Sequence, residues 1–230
     1  MQFQNRASTQ DAAAPASILT LSSALRKEAD RLLAEVDPVM ARIIADNGPC
    51  TLEPEARRSP FESLVRAIVH QQLHGAAAKA ILGRLLALFP DEGFPKPVDF
   101  GAVPDDALRS AGLSAAKIVS LRDLAEKARK GVVPGPRKIR SLPDEAIVER
   151  LTQVRGVGRW TVEMLLIFQL GRADVLPVDD FGIRNAIAKA YGLPTLPKPK
   201  EALLRGEIWR PHRTVAAWHL WNSVNGEAKV

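Results

Sequence analysis

The sequence predicts an all-α protein, and three observations carry that prediction. Apolar residues recur three and four apart through most of the chain, as in Phe61, Leu64, Val65, Ile68 and Val69, the spacing that gathers them on one helical face. No stretch shows convincing two-residue alternation, which a half-buried strand needs. Helix-start signals recur, with a capping residue followed at once by proline at Asp37-Pro38 and Ser59-Pro60.

Taken in order, residues 1–20 hold Ala, Ser, Gln, Asp and Pro with no apolar signal core, which predicts a loose polar tail ahead of a domain over 21–230. Leu21 to Val36 is amphipathic, with Leu21, Leu25, Leu32 and Val36 on one side. Asp37-Pro38 restarts a helix that Asn47-Gly48-Pro49 ends. Ser59-Pro60-Phe61-Glu62 reads as a capping box. The apolar face behind it is interrupted at His70-Gln71-Gln72-Leu73-His74-Gly75 and resumes at Ile81, Leu82, Leu85 and Leu86. This predicts a turn displaying Gln72 and Leu73. His70 and His74 have the i, i+4 spacing of some metal sites, but no adjacent acid or third ligand accompanies them. Phe89 to Pro104 is rich in proline and glycine, hence loop. Arg109 to Arg140 carries nine Lys/Arg against two Asp/Glu. That is either a solvated helix face or a surface for a polyanion. Within it, Gly112-Leu113-Ser114-Ala115-Ala116-Lys117 forms a glycine turn before a helix, where Ser114 and Lys117 suit a phosphate contact.

From about 143 to 170 the pattern reads helix, glycine turn, helix. Glu145, Ile147 and Leu151 precede Gly156-Val157-Gly158, and Trp160, Met164, Leu165 and Phe168 follow it. Gly156 and Gly158 are expected to take backbone angles closed to other residues. The turn is then an ordinary helix end, or a set of N–H groups facing an anion at the start of the second helix. After the break at Leu176-Pro177-Val178-Asp179-Asp180, a helix carries Phe181, Ile183, Ile187 and Ala190 to Gly192-Leu193-Pro194. Leu196 to Lys200 reads as a linker. The last helices hold Trp209, Trp218 and Trp221, as core packing or with one ring facing a cleft.

Composition narrows the function. The net charge of +6 favours a polyanionic partner. A single cysteine, Cys50, excludes a disulfide framework, a four-cysteine zinc site and a four-cysteine iron–sulfur cluster. No apolar run reaches membrane-spanning length. One residue of the pair Asp179-Asp180 is expected to cap the following helix. A second carboxylate beside a phosphate-binding turn repels the polyanion unless chemistry uses it. Placed against a sugar, it stabilises an oxocarbenium-like transition state or orients a water.

These residues together resemble the helix-hairpin-helix DNA glycosylases, specifically the alkylation-repair branch of DNA-3-methyladenine glycosylase II. The resemblance rests on Leu151-x-x-Val154-x-Gly156-Val157-Gly158-Arg159-Trp160-Thr161, Leu176-Pro177-Val178-Asp179-Asp180, Arg66-Ala67-Ile68-x-x-Gln71-Gln72-Leu73, Gly112-Leu113-Ser114-x-x-Lys117 and Trp218-His219-Leu220-Trp221. It spans most of the chain from about Leu21. It implies two helical subdomains with a cleft between them, and a nucleotide flipped out of duplex DNA into that cleft.

By this resemblance Asp180 is the catalytic carboxylate and Asp179 its neighbour and cap, although the doublet leaves a one-residue ambiguity. Leu73 is the wedge, with Gln72 beside it. Gly156, Val157, Gly158 and Arg159 grip the backbone. The carbonyls of Thr152, Val154 and Val157 hold a sodium or potassium ion. Trp160 and Trp221, with Trp218, wall the base pocket, where cationic alkylated bases gain stacking and cation–π attraction. Relatives that nick DNA carry a Schiff-base lysine at the position of Trp160, so hydrolysis alone is implied. The implied protein is a monomer of the cytoplasm, nucleoid or nucleus that acts on alkylated double-stranded DNA with no catalytic cofactor, no zinc and no iron–sulfur cluster. It is the compact form, with no counterpart of the β-rich N-terminal domain of some relatives. His74 departs from the usual small polar residue, and Gly182 is expected to loosen the helix after Asp180. Two rival readings remain: a non-catalytic DNA-binding module, and a glycosylase for oxidised or mismatched bases.

Overall fold

The computed structural model describes residues 18–89 and 93–225, and every regular element among them is helical, as expected. The helices are α1 (Ser23–Val36), α2 (Pro38–Asn47), α3 (Pro60–His70), α4 (Gly75–Leu86), α5 (Asp105–Ser110), α6 (Ala115–Arg129), α7 (Pro136–Arg140), α8 (Asp144–Leu151), α9 (Arg159–Phe168), α10 (Phe181–Ala190), α11 (Pro199–Arg205) and α12 (Arg213–Asn225). Short 3₁₀ turns lie at Asp99–Gly101 and Gly206–Trp209.

The capping side chains act as the sequence requires, but the box expected at Ser59 is only half made, because the Glu62 carboxylate pairs with Arg66 at 2.9 Å. Ser22 Oγ accepts from Leu25 N–H at 3.1 Å and Ser59 Oγ from Glu62 N–H at 3.1 Å. Asp37 accepts from Val39 and Met40 N–H at 2.9 and 3.3 Å. Each satisfies an amide that the first helical turn leaves unpaired. Helix α11 begins inside the stretch expected to be linker. Pro199 is its first residue, and Glu201 accepts from Lys198 N–H at 2.8 Å.

The chain folds back on itself. Helices α1 and α2 pack against α12, which also packs against α10, so the start of the chain meets its end. The middle, with α3 against α4, α6 and α9 and α8 against α9, makes the second half, and one hydrophobic cluster runs through both. Of the tail expected over 1–20, residues 1–17 lie outside the described residues. Thr20 pairs with Arg172 in an isolated antiparallel bridge, and Leu21 N–H donates to Gly171 carbonyl at 2.7 Å. This crossing between the halves is pinned by buried Arg172, which donates to the carbonyls of Arg140 and Leu142 at 3.2 and 2.9 Å.

Buried polar groups tie the terminal half together. Asp37, which caps α2, also accepts from Trp209 Nε1 at 2.9 Å and from the Tyr191 hydroxyl. Burial alone would raise its carboxyl. The bonds from Tyr191, Trp209, Met40 and Val39 outweigh that and hold it below the usual carboxylate range. Asp30 Oδ1 lies 2.8 Å from His219 Nε2, and Asp30 Oδ2 accepts from Cys50 N–H at 3.0 Å.

Candidate active site

The hairpin forms between α8 and α9. At Gly156 φ is +77°, a left-handed value, and a Cβ there would lie 2.7 Å from Ser120 Oγ on α6. Glycine is needed twice over, for conformation and for space. Gly158 corrects the expectation. It caps α9 with φ −96° and ψ 172°, and nothing lies within 4 Å of where its Cβ would be. Any residue adopts that backbone, so the absent side chain matters for what approaches from outside. The turn is braced from α6: Asp123 Oδ2 accepts from Arg155 N–H at 2.7 Å and from Lys127 Nζ at 2.8 Å, while Lys127 also reaches the Gln153 carbonyl. The Val154 carbonyl accepts from Val157 N–H at 3.0 Å. Arg159 makes a two-pronged pair with Glu145 at 3.0 and 2.7 Å, exposed to solvent.

The carboxylate lies twenty residues beyond Trp160. Asp180, not Asp179, caps α10, its Oδ1 accepting from Ile183 N–H at 2.9 Å. Asp179 is exposed, two residues before the helix begins, so its expected capping role is corrected. Trp221 Nε1 on α12 donates to Asp180 Oδ1 at 3.0 Å, and Trp160 Nε1 on α9 donates to Oδ2 at 2.8 Å. The two tryptophans expected as pocket walls therefore also hold the carboxylate, one from each half of the molecule. Trp218 is not brought to it; its ring stands edge-on to His219, 4.9 Å between centroids. Gly182 does not loosen α10. A Cβ there would lie 3.0 Å from Asp180 Oδ1 and 3.3 Å from Trp221 Cδ1, so glycine admits the indole.

Aromatic surface surrounds this group. Phe168 stacks on Trp221 at 5.8 Å, and Trp160, Phe168 and Phe181 are 43%, 40% and 66% exposed. Phe168 also lines a cavity of about 240 Å³ between α3 and α9, with Ser63, Ala67, His70, Thr161 and Met164. Phe168 and Phe181 were missed as site residues. The signal was there for Phe168, which follows Trp160 at the helical interval of eight with Met164 between. Glu163 was missed too. It is 6% exposed, and burial pushes its carboxyl up to about 7, helped by Asp179 and Glu145 and opposed by Arg159 at 3.9 Å.

The turn expected to carry the wedge follows α3. Gln71 has φ −51° and ψ 132°, Gln72 has φ +58°, and Leu73 N–H donates to His70 carbonyl at 3.3 Å. These are the features of a type II turn with glutamine where glycine is usual. Leu73 is 38% exposed. Ser114 and Lys117, expected as phosphate contacts, are both engaged within the protein. Ser114 Oγ caps α6 by accepting from Lys117 N–H at 3.3 Å. The Lys117 ammonium donates to the carbonyls of Val69 and Gln71 at 2.8 and 2.9 Å. His70 Nδ1 lies 2.8 Å from the Arg66 carbonyl. Among the described residues no three His, Cys, Asp or Glu gather as a metal site, and no helix is long and apolar enough to cross a membrane.

A glycine-turned helical hairpin followed by a carboxylate at a helix N-terminus, in a two-part helical fold, is the arrangement the sequence resemblance implied. The HhH-GPD superfamily of base excision DNA repair proteins matches residues 65–211, and the chain belongs to it. It is 43% identical over 167 residues to DNA-3-methyladenine glycosylase 1 of Schizosaccharomyces pombe, covering 73% of each chain. The solved structure of that organism's 3-methyladenine DNA glycosylase in complex with abasic DNA superposes with a TM-score of 0.76 at 39% identity, covering 86% of this chain and 97% of that one. A DNA-3-methyladenine glycosidase from Bacillus halodurans gives 0.77 at 35% identity, covering 88% and 91%.

Proposed function

We propose that the protein hydrolyses the N-glycosidic bond of alkylated bases in double-stranded DNA, 3-methyladenine and 7-methylguanine among them, and so starts base excision repair. The observation that carries this reading is the Asp180 carboxylate, held at both oxygens by indole N–H groups amid exposed aromatic rings. The relatives named above act in their names on 3-methyladenine, and one is complexed with abasic DNA.

In this reading the amides at the start of α9 take a backbone phosphate, favoured by the helix dipole. Arg159 is free to exchange its exposed Glu145 partner for DNA. Leu73 and Gln72 fill the gap left by the flipped nucleotide, offsetting an unstacking cost of a few kcal/mol. The extruded base lies against aromatic faces, where a cationic purine gains about 0.5–2 kcal/mol per ring. The alkylated base is already a good leaving group. The Asp180 carboxylate faces the sugar, stabilises the positive charge that develops as the bond breaks, and orients the attacking water. Asp179, outside the helix, adds negative potential without making those contacts.

The carbonyls of Thr152, Val154 and Val157 suit a sodium or potassium ion. They are neutral oxygens at the C-terminal end of α8 and in the turn after it, and the bond to Val157 N–H leaves Val154 one lone pair. Such an ion supplies positive charge to a DNA phosphate; the hydrolysis itself needs no redox cofactor. Trp160 stands where a Schiff-base lysine would serve strand nicking, which supports a monofunctional enzyme.

The test is incubation with duplexes carrying 7-methylguanine, 3-methyladenine, 1,N6-ethenoadenine, hypoxanthine or 8-oxoguanine, followed by alkaline cleavage of abasic sites. Release of alkylated bases is expected. DNA binding without any release moves the protein to the non-catalytic reading, and nicking without alkali overturns the monofunctional one.

A further inference from the structure

We infer that Lys117 is a positioning residue that sets the wedge turn against the hairpin; this rests on the base-flipping function proposed above. Its ammonium sits half-buried at the C-terminal end of α3, where the helix dipole is negative, with two of its N–H groups on the Val69 and Gln71 carbonyls. Moving to a phosphate would abandon both bonds.

The turn it holds needs holding. Gln72 is a non-glycine residue at φ +58°, a conformation that persists where surrounding contacts enforce it. Lys117 grips the residue before it. The Gln71 side chain then reaches across, Nε2 donating to the Gly156 carbonyl in the hairpin at 2.9 Å. The other end of the linkage is the same helix. Ser120 lies under Gly156, Asp123 takes the Arg155 amide, and Lys127 takes the Gln153 carbonyl. Residues 117, 120, 123 and 127 are three or four apart, so they share one face of α6. That face fixes the separation between the phosphate grip and the wedge. A duplex anchored at the hairpin meets Leu73 at a set distance, and a misplacement of about 1 Å at such a point costs rate.

The experiment compares Lys117→Met with the parent protein in three measurements. These are the salt dependence of binding to undamaged duplex, the unstacking of a 2-aminopurine placed beside 7-methylguanine, and single-turnover release of that base. A positioning role leaves the salt slope unchanged and lowers unstacking and release by about tenfold or more, the equivalent of one charge-assisted hydrogen bond. The deficit narrows on a duplex where the lesion faces an abasic site and has no pairing partner to leave. A salt slope reduced by about one, with unstacking of the bound complex unchanged, makes Lys117 a phosphate contact and overturns the inference. Should Lys117→Met fail to fold, Gln71→Leu carries the test: it loses unstacking if the linkage acts as described, and parental unstacking overturns it. A parent protein that neither unstacks nor releases 7-methylguanine fails earlier, at the proposed function.

Discussion

Each oxygen of the Asp180 carboxylate meets an indole N–H, so under the proposed function Trp160 has two separable duties: a ring face for the base and a donor for Oδ2. Trp160→Phe keeps the face and deletes the donor. The expected result is a kcat about tenfold to a hundredfold lower with little change in KM, measured on a 7-methylguanine duplex, because the lost bond reaches a charged group. A raised KM with unchanged kcat would make Trp160 a wall only. Glu163, behind it on α9, gives a prediction in pH. Its folded carboxyl, at about 7, holds a proton more tightly than the unfolded chain at its ordinary 4.5. Its contribution therefore favours the fold most below about pH 4.5, weakens as pH rises toward 7, and stays low above. Glu163→Gln should raise stability at pH 8 by on the order of 2 kcal/mol and change little at pH 4.5, read from urea unfolding at both pH values. At this scale the sequence was partly legible. Asp180 and Trp160 stand in recognisable motifs, whereas the bond between them joins residues twenty apart through folding. The doublet illustrates the limit. Either aspartate satisfies the capping preference, and only the path of the chain into α10 assigns the role to Asp180.

The two glycines of the hairpin look equivalent in a motif and differ as parts of an element. Gly156→Ala places a Cβ 2.7 Å from Ser120 Oγ at φ +77°, so a stability loss of about 1–3 kcal/mol is expected. Gly158→Ala adds a methyl to open space at the mouth of α9. Stability should fall by less than about 1 kcal/mol, while duplex affinity drops if, as proposed, a phosphate approaches where the methyl stands. Unfolding and filter-binding measurements on both variants check the split. The cap of α2 behaves similarly. Asp37 was legible as an N-cap from Asp37-Pro38, but Tyr191 and Trp209, which share it, lie more than 150 residues away and left no local trace. Asp37→Asn replaces one acceptor with a donor inside a buried network, for an expected cost of about 2–4 kcal/mol at pH 7. Its folded pKa is depressed, so the parent's advantage is present above the ordinary value of 3.8 and fades as pH falls through the folded one. Urea unfolding between pH 7 and 2 should show the two proteins converging in acid. Helix boundaries set by local capping were read correctly for α2 and α3. The linker expected at Leu196 to Lys200 partly failed because its proline opens α11.

The whole molecule places Asp180 where its halves meet, with Trp160 from the middle of the chain and Trp221 from its end. Under the proposed function, binding and bond breaking rest on different charges. The chain is +6 overall, with nine Lys/Arg against two Asp/Glu between Arg109 and Arg140. Lys127 turns part of that excess inward, so the local count overstates what faces DNA. If about four phosphates are neutralised, affinity for undamaged duplex should fall ~100-fold between 50 and 200 mM salt. The carboxylate opposes this attraction. Asp180→Asn keeps an oxygen to accept from Ile183 and Trp221, so α10 remains capped, and turns an amide toward the Trp160 donor. Binding at low salt should be equal or tighter, with the same salt slope, while base release falls by about 10²–10⁴-fold. Salt titrations and single-turnover release on one preparation test this directly. Parallel losses of affinity and release would place Asp180 in the binding surface and leave the bond-breaking group elsewhere in the cleft.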